Sequence, residues 1–463
     1  MSTDVADLGV PRRVHVVAAG GAGMSAIATV LAQAGHHVTG SDAVASAALD
    51  RLRDQGVEVH VGHDAAHVAG AELVVASTAV AEDNVELVAA RAAGVPVLRR
   101  IDLLPALAAR QPFLSVAGTH GKTTTTSLLA VALRGAGEDP SFLVGAPVPA
   151  LGGAAAYRPG RYFVIEADES DGSFLSGPRA GALVTNVEPD HLEYWGGWAQ
   201  LQDGFRRFLS GTDGPRVVCA DDPTAAALGA EVGAATYGTA ADATHRLVDL
   251  ELGPRGSQFA LHGPGGPVTV DLPLPGLHNA LDAAGALALV AELGLDLAGA
   301  AAALSGWDGV ARRFEHRGSA AGVEVVDDYA HLPTEVRAAL AAGRSGGWPR
   351  VVAVFQPHRY SRTEALWREF GAAFDDADLL VLTDLYPAGE APRPGVTGKL
   401  LVDSVLDHDP WRALAWMPSL DDVVGYLVGV LRPGDLLMTV GAGDVTTVGD
   451  RVLEGLRARE EPA

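Results

Sequence analysis

The chain has 463 residues, of which 48% are hydrophobic and 20% charged, and a formal net charge of −23 at pH 7. That length exceeds what one hydrophobic core organises, so two to four domains of ordinary soluble composition are expected. The acidic excess offers no field for a nucleic-acid backbone, which excludes that class of partner; anionic small substrates must instead be met locally by arginines and metal.

Cys219 is the single cysteine, so no internal disulfide is possible and a reducing, cytoplasmic compartment is expected. It closes the run RVVCADD and reads as a small buried hydrophobe at a strand end. No cationic region followed by an apolar core opens the chain, and no run of about 18 apolar residues appears, so neither a secretory signal nor membrane insertion is expected. RAREEPA at the end reads as a frayed tail.

In chain order, Val14 to Ala18 is an apolar strand that runs into Gly20, Gly21, Ala22, Gly23, Met24 and Ser25, then a helix through Leu31. The spacing Gly21-x-Gly23-x-x-Ala26 approximates the dinucleotide fingerprint. His37 to Thr39 makes a second strand, and Asp42 stands where a ribose-binding acid would. Strands at Val57–Val61, Leu73–Ser77 and Val95–Leu98 complete a Rossmann-like unit. NAD or another nucleotide diphosphate fits the loop, which alone does not choose between them.

Phe113 to Val116 is a buried strand, followed by GTHGKTTTT and a helical run ending near Gly135. Strand, glycine loop, Lys-Thr and helix make a phosphate cradle. Gly118 and Gly121 allow the backbone N–H groups to turn inward. The helix N-terminus adds partial positive charge. Lys122 reaches the β- and γ-phosphates, and the Thr123 hydroxyl can ligate Mg²⁺. The loop is a shortened GxxGKT form, with Val116 where a longer loop has glycine. Lysine occurs only at Lys122 and Lys399 while arginine serves elsewhere, so an ammonium is specifically required here.

Two more apolar strands end in acids: Tyr162–Ile165 enters EADESD, and Ala182–Val187 enters EPDHLEYW. Ligands sit at the carboxyl ends of parallel strands, so Glu166 and His191 converge on the phosphate loop and suit Mg²⁺. Asp168, Glu169 and Asp171 also fit a solvated acidic loop. Residues 245–275 alternate apolar and polar positions, with turns at Pro254-Arg255-Gly256 and Gly263–Gly266, and read as a small antiparallel patch. A long helix opening at His278-Asn279 and then Arg312-Arg313-Phe314 close this part.

The last third repeats the pattern. Val323–Val326 enters DDYAHLPTEV, Val351–Phe355 enters QPHRYSRT, Leu379–Leu382 enters TDLYPAGE, and Leu436–Val440 enters GAGDV. Arg359 and Arg362, three apart at a helix start, are expected on one face, a fork suited to a carboxylate or phosphate.

GGAGMS, GTHGKTTTT, EADESD, NVEPDHLE, LHNAL, RRFEHRG, DDYAHLPTE, FQPHRYSRT and AGE, in this order from about residue 14 to 443, together resemble the Mur ligase family. The resemblance implies an α/β chain of three domains. These are a Rossmann-like UDP-sugar-binding domain over 1–110, a central P-loop ATPase-like parallel sheet with a small antiparallel patch over 111–314, and a C-terminal Rossmann-like α/β, amino-acid-binding domain over 315–463. It also implies the reaction: ATP phosphorylates the lactyl carboxylate of UDP-N-acetylmuramate, and the amine of L-alanine attacks the acyl phosphate, in peptidoglycan precursor synthesis.

The roles implied by that likeness are as follows. Gly118, Thr119, His120, Gly121, Lys122, Thr123 and Thr124 hold ATP, with Asn279 at the adenine and Arg313 at the phosphates. Thr123, Glu166 and His191 hold Mg²⁺, in two ions. Asp328 and His331 face the second substrate, while Arg359 and Arg362 hold carboxylates. Lys122, His191, Asp328, His331, Arg359 and Arg362 form the catalytic set. Gly21, Ala22, Gly23, Met24 and Ser25 meet the UDP pyrophosphate; Asp42, His63, Ser77 and Thr78 meet the nucleoside end.

The chain departs from the family pattern at Ala330, Leu332 and Asp282, which stand where Gly, His and Asn are frequent. No lysine occurs between Pro189 and Ser210, which rules out the carbamylated lysine that several sister ligases place there. The competing readings are a murein-peptide recycling ligase, an NAD-dependent oxidoreductase built on the first domain, and a nucleotide-binding regulator without turnover.

Overall fold

The structure is a computed structural model and describes residues 7–460. It contains three sheets with helices between the strands. Contacts divide the chain into two compact units. One comprises Met1–Val248, Ala260–Val270 and Leu281–Asp308; the other comprises Asp249–Phe259, Asp271–Ala280 and Gly309–Ala463.

The first sheet is parallel: β1 (Arg13–Val17), β2 (His37–Asp42), β3 (Glu58–Val61), β4 (Leu73–Ala76) and β5 (Val97–Arg99), ordered β3-β2-β1-β4-β5. Strand order reverses beside β1, and ligands of open α/β sheets bind outside the strand ends at such a reversal. Val14, Val16, Ile27, Val30, Leu31, Leu49, Leu73 and Val75 pack the core on one face.

The second sheet has ten strands: β6 (Phe113–Ala117), β7 (Ser141–Val148), β8 (Gly153–Ala156), β9 (Phe163–Glu166), β10 (Arg179–Val184), β11 (Arg216–Cys219), β12 (Ala235–Gly238), β13 (His245–Gly253), β14 (Gly256–His262) and β15 (Val268–Leu272). Their order is β15-β14-β13-β12-β11-β10-β6-β9-β7-β8. All five residues of β6 are buried, as a strand covered on both faces must be, which is why it reads as an uninterrupted apolar run. Residues 245–275 form strands joined by short turns, and they extend this sheet at one end.

The third sheet holds β16 (Glu315–Ala320), β17 (Val323–Asp328), β18 (Arg350–Phe355), β19 (Leu379–Leu382), β20 (Leu414–Trp416) and β21 (Asp435–Val440), ordered β16-β17-β21-β18-β19-β20. Only β16 is antiparallel, pairing Glu315 with Asp327. It gave no sequence signal because EHRGSA is a polar edge strand, a composition that protects an open edge.

Of three local expectations, two hold and one changes. Gly135 is the last residue of the Lys122–Gly135 helix, and the left-handed turn falls at Gly137, φ 87°. Arg457–Glu460 are helical, within Thr446–Glu460, and not a frayed tail; Glu461–Ala463 lie outside the described residues. Cys219 is buried at the end of β11, and burial pushes its thiol up to about 11, so it is the inert hydrophobe expected. No helix among the described residues is long and apolar enough to cross a membrane.

Candidate functional site

In the first unit, β6 delivers the chain to the phosphate loop. Gly118 has φ 142°, and a Cβ there would lie 2.0 Å from Thr185 Oγ1; Gly121, φ 78°, caps the following helix. Both positions need the freedom that only glycine has. The loop's carbonyls are tied down. The Gly118 and Thr119 carbonyls accept from Lys122 Nζ at 2.6 and 3.2 Å, and the His120 carbonyl accepts from Thr185 Oγ1 at 2.6 Å and Asn186 Nδ2 at 3.1 Å. Asn186 Oδ1 in turn accepts the His120 N–H at 2.8 Å. Asn186 and Thr185, from the segment after β10, thus clamp the loop. Neither was expected in the site, although Asn186 opens the NVEPDHLE motif.

Lys122 Nζ lies 2.8 Å from Glu169 Oε2, with the two side chains 14% and 2% exposed. Burial alone would depress the lysine, but the carboxylates of Glu169 and Asp168 outweigh it and hold the ammonium above its ordinary value. Glu169 is therefore no part of a solvated acidic loop. Its carbonyl accepts from Trp195 Nε1 at 3.0 Å, which fixes the turn after β9. A single buried glutamate facing the loop lysine is a pairing that the EADESD run alone did not single out among its four acids.

Thr123 Oγ1 donates to Glu166 Oε1 at 3.0 Å, and Glu166 Oε2 accepts the Gly145 N–H at 2.7 Å. Two of the three expected metal ligands are thus in direct contact. His191 adopts a left-handed backbone, φ 52°, and its Nε2 lies 3.3 Å from Asp190 Oδ2. Among the described residues no group of three or more His, Cys, Asp or Glu side chains is placed to hold a metal. A hydroxyl and one carboxylate beside a phosphate loop instead fit Mg²⁺, which takes few protein oxygens plus phosphate oxygens and water. Asp282, one of the departures, is buried against the loop: a Cβ on Gly121 would fall 2.6 Å from its Oδ1.

The other loop of this unit follows β1. Asp42, at the end of β2 and expected at the nucleoside end, accepts the Gly20 N–H at 2.8 Å and the Val44 N–H at 3.2 Å, so it also organises the glycine turn. Gly21 caps the Ala22–Gln33 helix; within its first turn Met24 is buried and Ser25 Oγ bonds back to the Ala22 carbonyl at 3.0 Å. Ser77 and Thr78 follow β4, and the Ser77 carbonyl accepts from Arg99 Nη1 at 2.6 Å.

His63 belongs to a network that the sequence did not announce. Glu86, fully buried, contacts His63 Nδ1 at 2.8 Å, His67 Nδ1 at 2.7 Å and Ser41 Oγ at 2.6 Å, and His15 Nε2 lies 3.7 Å away. Burial opposes its charge, but these partners prevail and hold the carboxyl well below the usual range. His63 and His67 lie four apart in the segment after β3, while His15 comes from β1 and Glu86 from a later helix, so no single motif marks the network.

In the second unit, Asp328 ends β17 and is buried. Its Oδ2 accepts the Phe314 N–H and its Oδ1 the Ala330 N–H, both at 2.8 Å, yet burial pushes its carboxyl up to about 6. Arg313 stacks on Tyr329 at 5.0 Å, while Arg312 pairs with Asp327 at 3.1 Å. His331 Nδ1 faces the Tyr329 carbonyl at 3.0 Å and Glu335 at 3.4 Å; burial lowers its pKa. Ala330 and Leu332, its neighbours, are both buried.

Arg362 Nη1 lies 3.2 Å from His358 Nδ1, and burial brings His358 down to about 4. Its ring lies 5.8 Å from those of both His331 and Tyr386. Arg359 is not in the helix as expected: it precedes Tyr360–Leu366 with φ 69°, ψ 141°, so the pair does not share a helical face by spacing. Asn279, at the start of the Leu277–Glu292 helix, donates from Nδ2 to the Pro275 carbonyl at 2.6 Å.

Comparison with known proteins gives three consecutive family matches: Mur ligase family, catalytic domain, over residues 13–112; Mur ligase middle domain over 116–290; and Mur ligase, glutamate ligase domain, over 312–443. The UDP-N-acetylmuramate–L-alanine ligase of Symbiobacterium thermophilum is 45% identical over 461 residues, covering 97% of this chain and 95% of its own. That of Kineococcus radiotolerans is 48% identical, covering 96% and 97%. Among solved structures, the UDP-N-acetylmuramate-alanine ligase MurC of Thermotoga maritima superposes with a TM-score of 0.81 at 29% identity, over 97% of this chain and all of that one. A murein peptide ligase of Psychrobacter arcticus, at 23% identity and a TM-score of 0.68, shares the fold.

Proposed function

The chain belongs to the Mur ligase family, and on that premise we propose that it joins L-alanine to the lactyl carboxylate of UDP-N-acetylmuramate at the expense of ATP, forming ADP and phosphate. The observation that carries this reading is the buried pair between Lys122 of the Gly118–Thr124 loop and Glu169, on a chain that matches L-alanine ligases over almost its whole length. A recycling ligase shares the fold but at much lower identity. An oxidoreductase has no use for the second loop.

The chemistry follows from charge. Attack of a carboxylate on a γ-phosphate brings two anions together, and a fixed ammonium held in a water-poor loop lowers that cost. Lys122 leaves Glu169 for phosphate oxygens, and the backbone N–H groups at the helix start take the rest. Thr123 and Glu166, with His191 beside them, would hold Mg²⁺, which supplies charge neutralisation at the phosphates. In the second unit, Asp328 and His331 orient the amine of L-alanine toward the acyl phosphate, and Arg313, Arg359 and Arg362 hold anionic groups of the reactants. Gly21–Ser25, Asp42, His63, Ser77 and Thr78 hold the UDP moiety. The functional segments are 1–110, 111–314 and 315–463, and the work is done in the cytoplasm.

The test is phosphate release from ATP with Mg²⁺, UDP-N-acetylmuramate and one amino acid at a time. Release that needs both the UDP sugar and L-alanine is expected. Release only with a peptide in place of L-alanine would move the chain to the recycling ligases.

A further inference from the structure

Arg100 opens the Arg100–Arg110 helix, and its side chain has no hydrogen bond and no ion pair among the described residues. Its Nε is buried without an acceptor. Arg412 Nε is likewise buried and unpaired, but its Nη2 bonds two carbonyls, whereas no guanidinium nitrogen of Arg100 has a partner among the described residues. An unsatisfied buried donor on a charged group is costly, and natural structures keep one where a ligand completes it. The position is unfavourable on a second count. A cation in the first turn of a helix meets the positive end of its dipole.

The guanidinium has a definite direction. A Cβ built on Gly23 would fall 2.9 Å from Arg100 Nη1, so the cation lies over the first turn of the Ala22–Gln33 helix. That turn carries inward backbone N–H groups and no basic side chain, and Gly23 leaves the room that Arg100 occupies. Arg100 also borders a cavity of about 10 Å³ shared with Ser115, Glu166, Asp168 and Ser173. A cavity of that size cannot take a substrate group, which leaves the Gly23 side for an anion.

We propose that Arg100 is a substrate-binding residue: its guanidinium takes a diphosphate oxygen of the UDP sugar seated on the Gly21–Ser25 turn. This rests on the function proposed above and adds the cation that the turn lacks. A planar guanidinium presents parallel N–H donors to phosphate oxygens, and the helix N-terminus supplies the remaining donors.

Calorimetric binding of UDP-N-acetylmuramate, UDP and ADP to the full chain tests it, with wild type against Arg100→Ala and Arg100→Gln. The expected result is that both substitutions weaken UDP-N-acetylmuramate and UDP by the same factor, tenfold or more, and leave ADP unchanged. Retained ADP binding shows that the phosphate loop is folded; should the alanine variant lose it, the glutamine variant is judged by the same criterion. Unaltered UDP binding in a variant that binds ADP would overturn the assignment. Weakening confined to UDP-N-acetylmuramate would overturn it too, placing Arg100 on the lactyl carboxylate. A wild type that binds ADP but neither uridine ligand would instead defeat the function on which the assignment rests.

Discussion

The first unit contains two loops of the same design, each a buried parallel strand turning through glycines into a helix, at Gly20–Ser25 and at Gly118–Thr124. They differ in where their positive charge resides. The second carries its own, on Lys122, directly after Gly121 and locked to Glu169. The first has no basic residue in the loop or the following turn, and the nearest guanidinium is brought by a helix that begins 77 positions after Gly23, at Arg100. A loop with an internal cation declares its ligand class in the sequence. A loop that borrows one shows only a turn, which is why NAD and a nucleotide sugar fit it equally well on paper.

The largest effect expected from breaking this contrast is at Lys122. Lys122→Ala should lower turnover a hundredfold or more, about 3 kcal/mol of lost charge stabilisation, measured as phosphate release at saturating substrates. Turnover within a few-fold of wild type would show that the loop's charge is not intrinsic after all. Lys122→Arg sharpens the point. The ammonium sits between two loop carbonyls and a buried glutamate, a space that a planar fork does not fill, so arginine should restore no more than about a tenth of the rate. Full rescue would reduce the loop to a matter of net charge.

The first loop's surroundings should respond in stability more than in turnover. Glu86→Gln leaves His63, His67 and Ser41 facing an uncharged amide, and should cost about 1–3 kcal/mol in denaturant unfolding near neutral pH. Because the folded carboxyl lies below its ordinary value, its contribution is present above about pH 4.5 and is lost as pH falls further; the gap between wild type and variant should close on acidification. A gap that widened in acid would mean that Glu86 is protonated in the fold. The smallest effect lies in the second unit. Asp328, pushed up to about 6, is a carboxylate above that pH and a neutral acid below it, so the rate with L-alanine should fall on the acid side of about pH 6. The fall should be absent from the residual rate of Asp328→Asn; an unchanged acid limb in that variant would assign it elsewhere.

Much of this was legible in the chain. Parallel strands buried on both faces read as apolar runs, and their polar ends mark one rim, so β1, β6, β9, β17, β18 and β21 were all visible, together with Lys122, Thr123 and Glu166. What escaped was either polar or assembled from afar. β16 is an edge strand with a single apolar residue, Ala320, too little to betray it. Glu169 could not be told from its neighbours Asp168 and Asp171, because burial and not residue type separates them. The Glu86 network joins histidines from β1 and from the segment after β3 to a later helix, and Arg359 takes a left-handed backbone that no spacing argument anticipates.

The scarcity of lysine has a practical side. With ammonium side chains only at Lys122, nearly buried, and Lys399, exposed, an amine-acylating reagent meets one open side chain and one guarded one. A dye placed on Lys399 leaves the phosphate loop untouched. The slow acylation of Lys122, followed by mass spectrometry of its peptide, becomes a clock for how often the Glu169 contact opens, and nucleotide should stop that clock.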